Sequence, residues 1–262
     1  MSINVMAPKK PTIATFRRYL TPFKHITFQS PHESYQARLS LYKSVSSILD
    51  LFLAYTKIEP HAFLHVGNIS KLISKQNLTG SHAISIGLDA LKDIILVKNN
   101  ELVLDVYDID SNAIQEANNM CERFEEDLNL KFFDENILAN PDFENDKYKL
   151  AILSQMDYLF DDKTIKELIH TFKQKNIENL IILTPSAYEF SKDPIKLVEA
   201  SRNIISSMKD KLKDHGGTYK TYRRNIRHFE SLFQDGYELI ERSEYSYPSG
   251  RCFLLFLKLK LN

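Results

Sequence analysis

The chain has 262 residues, 43% of them hydrophobic, and its 34 Lys and Arg residues balance 34 Asp and Glu residues. That length supports one large domain, or one domain with a small appendage. The zero net charge gives no reason from bulk charge to expect a nucleic-acid or membrane partner. Two cysteines without metal-type spacing, and an N-terminus without the apolar run of a signal peptide, favour a cytoplasmic protein.

The first part of the chain has a helical pattern. Apolar residues at helical spacing in "SYQARLSLYKSVSSILDLFLAYTKI" (residues 34–58) predict one helix, and "HAFLHVGNISKLISKQ" (residues 61–76) predicts another. A basic and aromatic stretch, "FRRYLTPFKHITF", precedes them. We therefore expect residues 1–80 to form a helical segment, and residues 81–262 to form the main domain.

From Ser81 onwards, strands alternate with helices. Five apolar stretches predict successive strands: "HAISI", "LVLDVYD", "LKFFDENIL", "YKLAILSQ" and "ENLIILTP". Ser111 is predicted to cap the helix after the second strand, and the helix "IRHFESLFQDG" is predicted to end at Gly236. The last two strands flank "SG" as a hairpin. The alternation predicts an α/β fold with a mainly parallel seven-stranded sheet and a C-terminal antiparallel hairpin.

Two residues at strand ends suggest a ligand site. Gly87 follows the first strand, where the absence of a side chain lets a ligand approach the backbone. Asp108 ends the second strand, where a carboxylate can accept hydrogen bonds from both hydroxyls of a ribose. Alternatively, Asp108 and Asp110 cap the following helix. Because Ser111 is available as the cap, we favour Asp108 as a ligand.

The order of these motifs resembles the class I S-adenosylmethionine-dependent methyltransferases from about Ser81 to the C-terminus. The stretches that carry the resemblance are "AISIG", "VYDIDSNAIQEAN", "FFDENIL" and "YKLAILSQMDYLFDD". It implies a Rossmann-like fold and S-adenosyl-L-methionine as cofactor, with Asp108 on the ribose and Ile109 on the adenine. The cofactor-binding residues that it implies are Ser85, Gly87, Asp89, Asp108, Ile109, Asn136, Ile137 and Ser154.

The first motif departs from the family pattern. Asp89 and Leu91 stand where further glycines are usual, and Ser85 stands where an acid often contacts the amino group of the cofactor's methionine part. The cofactor carries no phosphate, so this loop need not form a phosphate cradle. Asp89 either binds the cofactor's ammonium group or obstructs the pocket.

The predicted activity is methylation of an oxygen or nitrogen on a small-molecule acceptor, under a lid formed by the N-terminal helices. We assign no catalytic residue and no metal; His25, His170 and Tyr158 are candidates for a general base. The helical pair His61 and His65 lacks a third zinc ligand. A homodimer is compatible with the sequence.

Three alternatives stay open at this point. The first is a non-catalytic protein with the same fold, and the second is a nicotianamine-synthase-like aminocarboxypropyl transferase. The third is an RNA methyltransferase that uses the cluster in "KTYRRNIRHF", namely Lys220, Arg223, Arg224, Arg227 and His228. A nicotinamide dehydrogenase is disfavoured, because its pyrophosphate needs a G-x-G-x-x-G turn that "GLDALK" does not supply.

Overall fold

The computed structural model describes residues 31–59, 61–124, 127–138, 143–185, 187, 189, 222, 224–247 and 250–260. Within them, strands and helices alternate as the sequence predicts from the first strand onwards. The helices are α1 (Pro31–Ser44), α2 (Ile48–Ile58), α3 (His61–Lys75), α4 (Ala90–Asn100), α5 (Ser111–Glu122), α6 (Asp162–Gln174) and α7 (Ile226–Ser231). The strands are β1 (His82–Ile86), β2 (Val103–Asp108), β3 (Leu130–Asp134), β4 (Leu150–Ser154), β5 (Asn179–Thr184), β6 (Tyr237–Tyr247) and β7 (Gly250–Leu259).

The seven strands form one sheet in the order β3-β2-β1-β4-β5-β7-β6. The pairs β2–β3, β1–β4 and β4–β5 are parallel, and β5–β7 is antiparallel. Strands β4 and β5 are buried along their whole length, as expected for the centre of a sheet covered on both faces. The predicted fold class, a mainly parallel sheet with a C-terminal antiparallel hairpin, is confirmed.

The chain divides into two compact units. The first unit contains α1–α3 and the segment Leu88–Asp134, and the second contains Gly80–Gly87, Glu135–Ser246 and Gly250 onwards. The predicted division into 1–80 and 81–262 stays a prediction.

In the first unit, α2 and α3 pack against α4, and α1 packs against α5. The side chains of Leu51, Tyr55 and Ile69 are fully buried, and so is most of α4. Arg123, just after α5, donates hydrogen bonds to the carbonyls of Tyr42 and Val45 at the end of α1. These bonds satisfy carbonyls that the end of a helix leaves without partners.

Three local sequence predictions are wrong. The stretch 34–58 forms two helices, because the chain leaves helical geometry after Ser44 and the Ser47 hydroxyl accepts from Asp50 N to begin α2. Asp110, and not Ser111, caps α5 by accepting from Ala113 N at 3.1 Å. Helix α7 ends at Ser231, and Gly236 has no left-handed backbone conformation.

Candidate functional site

Asp108 lies at the end of β2 with its carboxylate held by two backbone groups. Leu88 N donates to Oδ2 at 2.8 Å, and Asp110 N donates to Oδ1 at 3.0 Å. A carboxylate oxygen has two lone-pair sites, so each oxygen can accept one further hydrogen bond. Since Asp110 is the residue that caps α5, Asp108 is not required as the cap. The half-buried carboxylate is therefore oriented in advance and able to accept from a ligand.

An exposed apolar side chain follows Asp108 directly. Ile109 lies between β2 and α5 with 73% of its surface exposed, the highest value among the large hydrophobic residues that the structure describes as exposed. An apolar ring packed on this side chain would bury surface that is now in contact with water. The position of Ile109 suits the predicted contact with adenine.

Asp89 has a structural role at the start of α4. Its Oδ1 accepts from Lys92 N at 3.3 Å as the N-cap of the helix, and its own N–H donates to Asp93 at 3.1 Å. Asp93 is fully buried beside Lys92 at 3.2 Å. Burial raises the pKa of Asp93 to about 7, although Lys92 opposes the shift.

Two buried tyrosines from the N-terminal helices reach the same helix start. The Tyr55 hydroxyl donates to Asp89 Oδ1 at 3.2 Å, and Ala90 N donates to the Tyr42 hydroxyl at 3.3 Å. The two hydroxyls lie 3.4 Å apart. Burial raises the pKa of both phenols, so they remain protonated and available as donors. Sequence reasoning missed this pair, whose members are 34 and 48 residues away from their partners.

The second unit contains Gly87, Ser85 and Ser154. Gly87 has φ +87°, a backbone conformation that residues with a side chain rarely adopt. A Cβ at this position would lie 2.4 Å from Met156 Cγ and Sδ. Ser85 is fully buried within β1, and Ser154 is 8% exposed at the end of β4. The structure thus explains the glycine by the neighbouring methionine, a residue that sequence reasoning did not select.

Asn136 and Ile137, two of the cofactor-binding residues that the resemblance implies, lie in the loop after β3. Asn136 is exposed, and its Oδ1 accepts from Leu138 N at 3.0 Å. Ile137 is 4% exposed and belongs to the core. The predicted cofactor-binding roles stay predictions for all eight residues: Ser85, Gly87, Asp89, Asp108, Ile109, Asn136, Ile137 and Ser154.

A polar cluster fixes the loop after β4. The buried hydroxyl of Thr184, at the end of β5, donates to Asp157 Oδ2 at 2.6 Å. The Arg224 guanidinium donates to the carbonyls of Asp157 and Phe160 and to the Asp162 carboxylate. His228 lies 2.7 Å from the other oxygen of Asp162. Arg224 is 6% exposed, and its Nε and both terminal nitrogens donate within the chain.

The other sequence candidates are dispersed. Arg227 is exposed, whereas Lys220 and Arg223 lie outside the described residues, as do His25 and the stretch "FRRYLTPFKHITF". His170 is exposed on α6, and the side chain of Tyr158 is outside the described part.

In the part of the chain that the structure describes, no group of three or more His, Cys, Asp or Glu side chains could hold a metal ion. Across the same residues, no helix has the length and apolar character to cross a membrane.

His65, which is buried, forms a small cluster with the partly buried His61 and Glu59. Their rings meet edge-on with centroids 5.3 Å apart, and His61 Nε2 lies 3.3 Å from Glu59 Oε1. Burial lowers the pKa of His65 to about 4, and the charge of a protonated His61 acts in the same direction. The His65 ring is therefore neutral at pH 7.

Replacing His65 by leucine is expected to change how stability depends on pH. The folded-state pKa is below the ordinary value of about 6.5, so the contribution of His65 is complete above pH 6.5 and is lost as the pH falls towards 4. When the pH falls from 7 to 5.5, the free energy of unfolding of the wild type should decrease by about 1 kcal/mol more than that of the variant. Asp93, whose raised pKa acts in the opposite direction, is common to both proteins. Urea unfolding of both proteins at pH 7 and 5.5 measures this change. If the free energies of unfolding of wild type and variant differ by the same amount at both pH values, the lowered pKa of His65 is refuted.

Solved structures share this architecture at low sequence identity. Magnesium protoporphyrin IX methyltransferase (ChlM) from Synechocystis PCC 6803 with bound SAH superposes with a TM-score of 0.60 at 12% identity, over 87% of this chain and 95% of that chain. A SAM-dependent methyltransferase from Methanosarcina mazei gives 0.52 at 14% identity, over 70% and 93%. MtNAS in complex with MTA and tNA gives 0.54 at 12% identity, over 87% and 70%.

Sequence comparison adds no further relative. No family model matches the chain, and no curated protein matches it. The structural comparisons and the strand order agree with each other and with the motif order in the sequence. The chain has the fold of the class I S-adenosylmethionine-dependent methyltransferases.

Proposed function

We propose that the protein is an S-adenosyl-L-methionine-dependent methyltransferase that acts on a small-molecule acceptor. The observation that carries the proposal is the Asp108 carboxylate, held at the end of β2 by Leu88 N and Asp110 N. Its remaining lone pairs accept from the ribose hydroxyls of the cofactor, and the adjacent exposed Ile109 packs against the adenine. The fold shared with ChlM, which was crystallised with SAH and with SAM, supports this choice of cofactor.

Asp89 binds the ammonium group of the cofactor's methionine part in this proposal. Its Oδ1 is engaged by Lys92 N and Tyr55, so the carboxylate is fixed in position while its charge remains available. Tyr42 and Tyr55 thereby connect α1 and α2 to the loop that follows β1. Residues 1–80 accordingly act as the lid in this proposal.

Replacing Asp89 by asparagine separates the cap from the charge. Asparagine caps helices about as well as aspartate, so α4 should be retained while the partner of the ammonium is lost. We expect Asp89→Asn to weaken SAH binding about tenfold and to leave the binding of 5′-methylthioadenosine, which has no ammonium, within twofold. Calorimetric titration with both ligands measures the effect. An equal change for both would show that Asp89 acts only through the loop structure.

The chemistry requires alignment more than acid–base catalysis. The sulfonium of the cofactor supplies an activated methyl group, and the protein holds an acceptor oxygen or nitrogen in line with it. Such positioning can lower a barrier by about 7–11 kcal/mol in favourable cases. The described residues supply the cofactor contacts; we assign no general base among them.

Binding and product analysis test the proposal. The wild type should bind S-adenosyl-L-methionine in calorimetry and release SAH when incubated with a mixture of small metabolites. If no binding is detected at millimolar cofactor, the methyltransferase proposal is rejected.

Aminocarboxypropyl transfer is the second candidate, supported by the likeness to MtNAS, a nicotianamine synthase. The two reactions differ in their adenosine product, because methyl transfer leaves SAH and aminocarboxypropyl transfer leaves 5′-methylthioadenosine. Chromatography of the products distinguishes them. An RNA methyltransferase is less well supported, since Arg224 and His228 of the basic cluster interact within the chain.

A further inference from the structure

The side chain of Met156 covers the backbone of Gly87. A Cβ built on Gly87 would lie 2.4 Å from Met156 Cγ and Sδ and 3.0 Å from Cε. The thioether therefore occupies the space that a side chain at residue 87 would fill. Met156 is half-buried, so its side chain also borders solvent.

The main chain around Met156 is held on both sides. Gln155 N donates to Leu183 O at 2.9 Å, and Leu159 N donates to Met156 O at 3.0 Å. The next residue, Asp157, is held through its side chain by Thr184 and through its carbonyl by Arg224. Gln155 itself has φ +60°, in the left-handed region, which fixes the direction in which the chain leaves β4.

The Met156 side chain has more freedom than its backbone. Methionine is unbranched and has three rotatable side-chain bonds, so it exchanges between staggered rotamers at low cost. A ligand that approaches Gly87 can therefore displace the thioether without displacing the loop.

We propose that Met156 determines the affinity of the protein for the amino-acid end of the cofactor, because its side chain and that end compete for the space over Gly87. The inference rests on the proposed function, in which Gly87 is a cofactor contact. Binding then requires the Met156 side chain to rotate away, and that requirement lowers the affinity for ligands that carry the amino-acid end. Ligands that end at the sulfur atom, such as 5′-methylthioadenosine, can bind without rotation of the Met156 side chain.

Two ligands and two variants test the proposal. SAH carries the amino-acid end, and 5′-methylthioadenosine lacks it. We expect Met156→Ala to tighten SAH binding at least fivefold in calorimetric titrations and to leave 5′-methylthioadenosine within twofold. Met156→Leu, which keeps the apolar volume, should retain the wild-type ratio of the two dissociation constants. Thermal unfolding of both variants checks that the loop is intact.

The outcomes separate this inference from the proposed function. If the wild type binds neither ligand, the proposed function is wrong. If both ligands bind and Met156→Ala changes them equally, or changes neither, Met156 does not compete with the amino-acid end and the inference is overturned. If Met156→Ala is unfolded, the Met156→Leu protein decides, because a ratio shifted more than threefold from that of the wild type overturns the inference and an unshifted ratio supports it.

Discussion

Replacing Asp108 by alanine is expected to weaken SAH binding at least tenfold. The variant loses an ionised acceptor for the ribose hydroxyls, and hydrogen bonds to charged groups contribute about 1.5–3 kcal/mol each. A tenfold change in the dissociation constant corresponds to about 1.4 kcal/mol, so the expectation requires less than one full hydrogen bond of this kind. Calorimetric titration of the folded variant with SAH provides the measurement.

Asp110→Ser is the matched control for this substitution. It removes a carboxylate two residues away and keeps a side chain that caps helices about as well. SAH affinity should stay within twofold of the wild type, because Asp108 keeps both of its backbone donors. An Asp108→Ala protein with an unchanged dissociation constant would remove the ribose contact from the account.

The second large effect is expected on stability. Arg224→Met should lower the free energy of unfolding by about 3 kcal/mol, since the buried guanidinium is the donor to the carbonyls of Asp157 and Phe160. Methionine fills similar volume and cannot donate. Urea unfolding at pH 7 measures the difference.

Asp162→Asn separates the exposed ion pair from the buried bonds. Asp162 is 46% exposed, and ion pairs at such positions contribute less than about 1 kcal/mol. Its substitution should therefore cost far less than that of Arg224. If Arg224→Met cost no more than Asp162→Asn, the loop after β4 would not depend on the buried contacts.

The strands could be predicted from the sequence because their signal is local. Each central strand is a short apolar run bounded by turn residues, and "HAISI" coincides with β1. The glycine after β1 and the aspartate at the end of β2 follow from the same pattern. For these two positions, a motif read along the chain predicted the correct location in the fold.

The predictions that failed concern where a helix begins or ends, and the spacing of apolar residues does not determine these positions. The break after Ser44 keeps the apolar spacing on both sides, so one helix and two helices look alike in the sequence. Asp110 and Ser111 are both good caps, and the backbone geometry selects the aspartate. Gly236 lies close to Ile169, where a Cβ would meet Cγ2 at 3.3 Å, and close packing rather than a helix end accounts for it.

Long-range contacts could not be predicted from the sequence. Tyr55 meets Asp89 across 34 residues, and Arg224 meets Asp157 across 67. Met156 follows β4 without any motif that marks it as the neighbour of Gly87. These contacts decide which polar groups are already engaged and which remain available to a ligand.

A crystal structure of the protein with SAH tests the central claim most directly. The account predicts both ribose hydroxyls within about 2.6–3.2 Å of the Asp108 carboxylate oxygens, with the bonds from Leu88 N and Asp110 N retained. A structure with SAH bound elsewhere, or with Asp108 turned towards solvent and the ribose held by other groups, would contradict it.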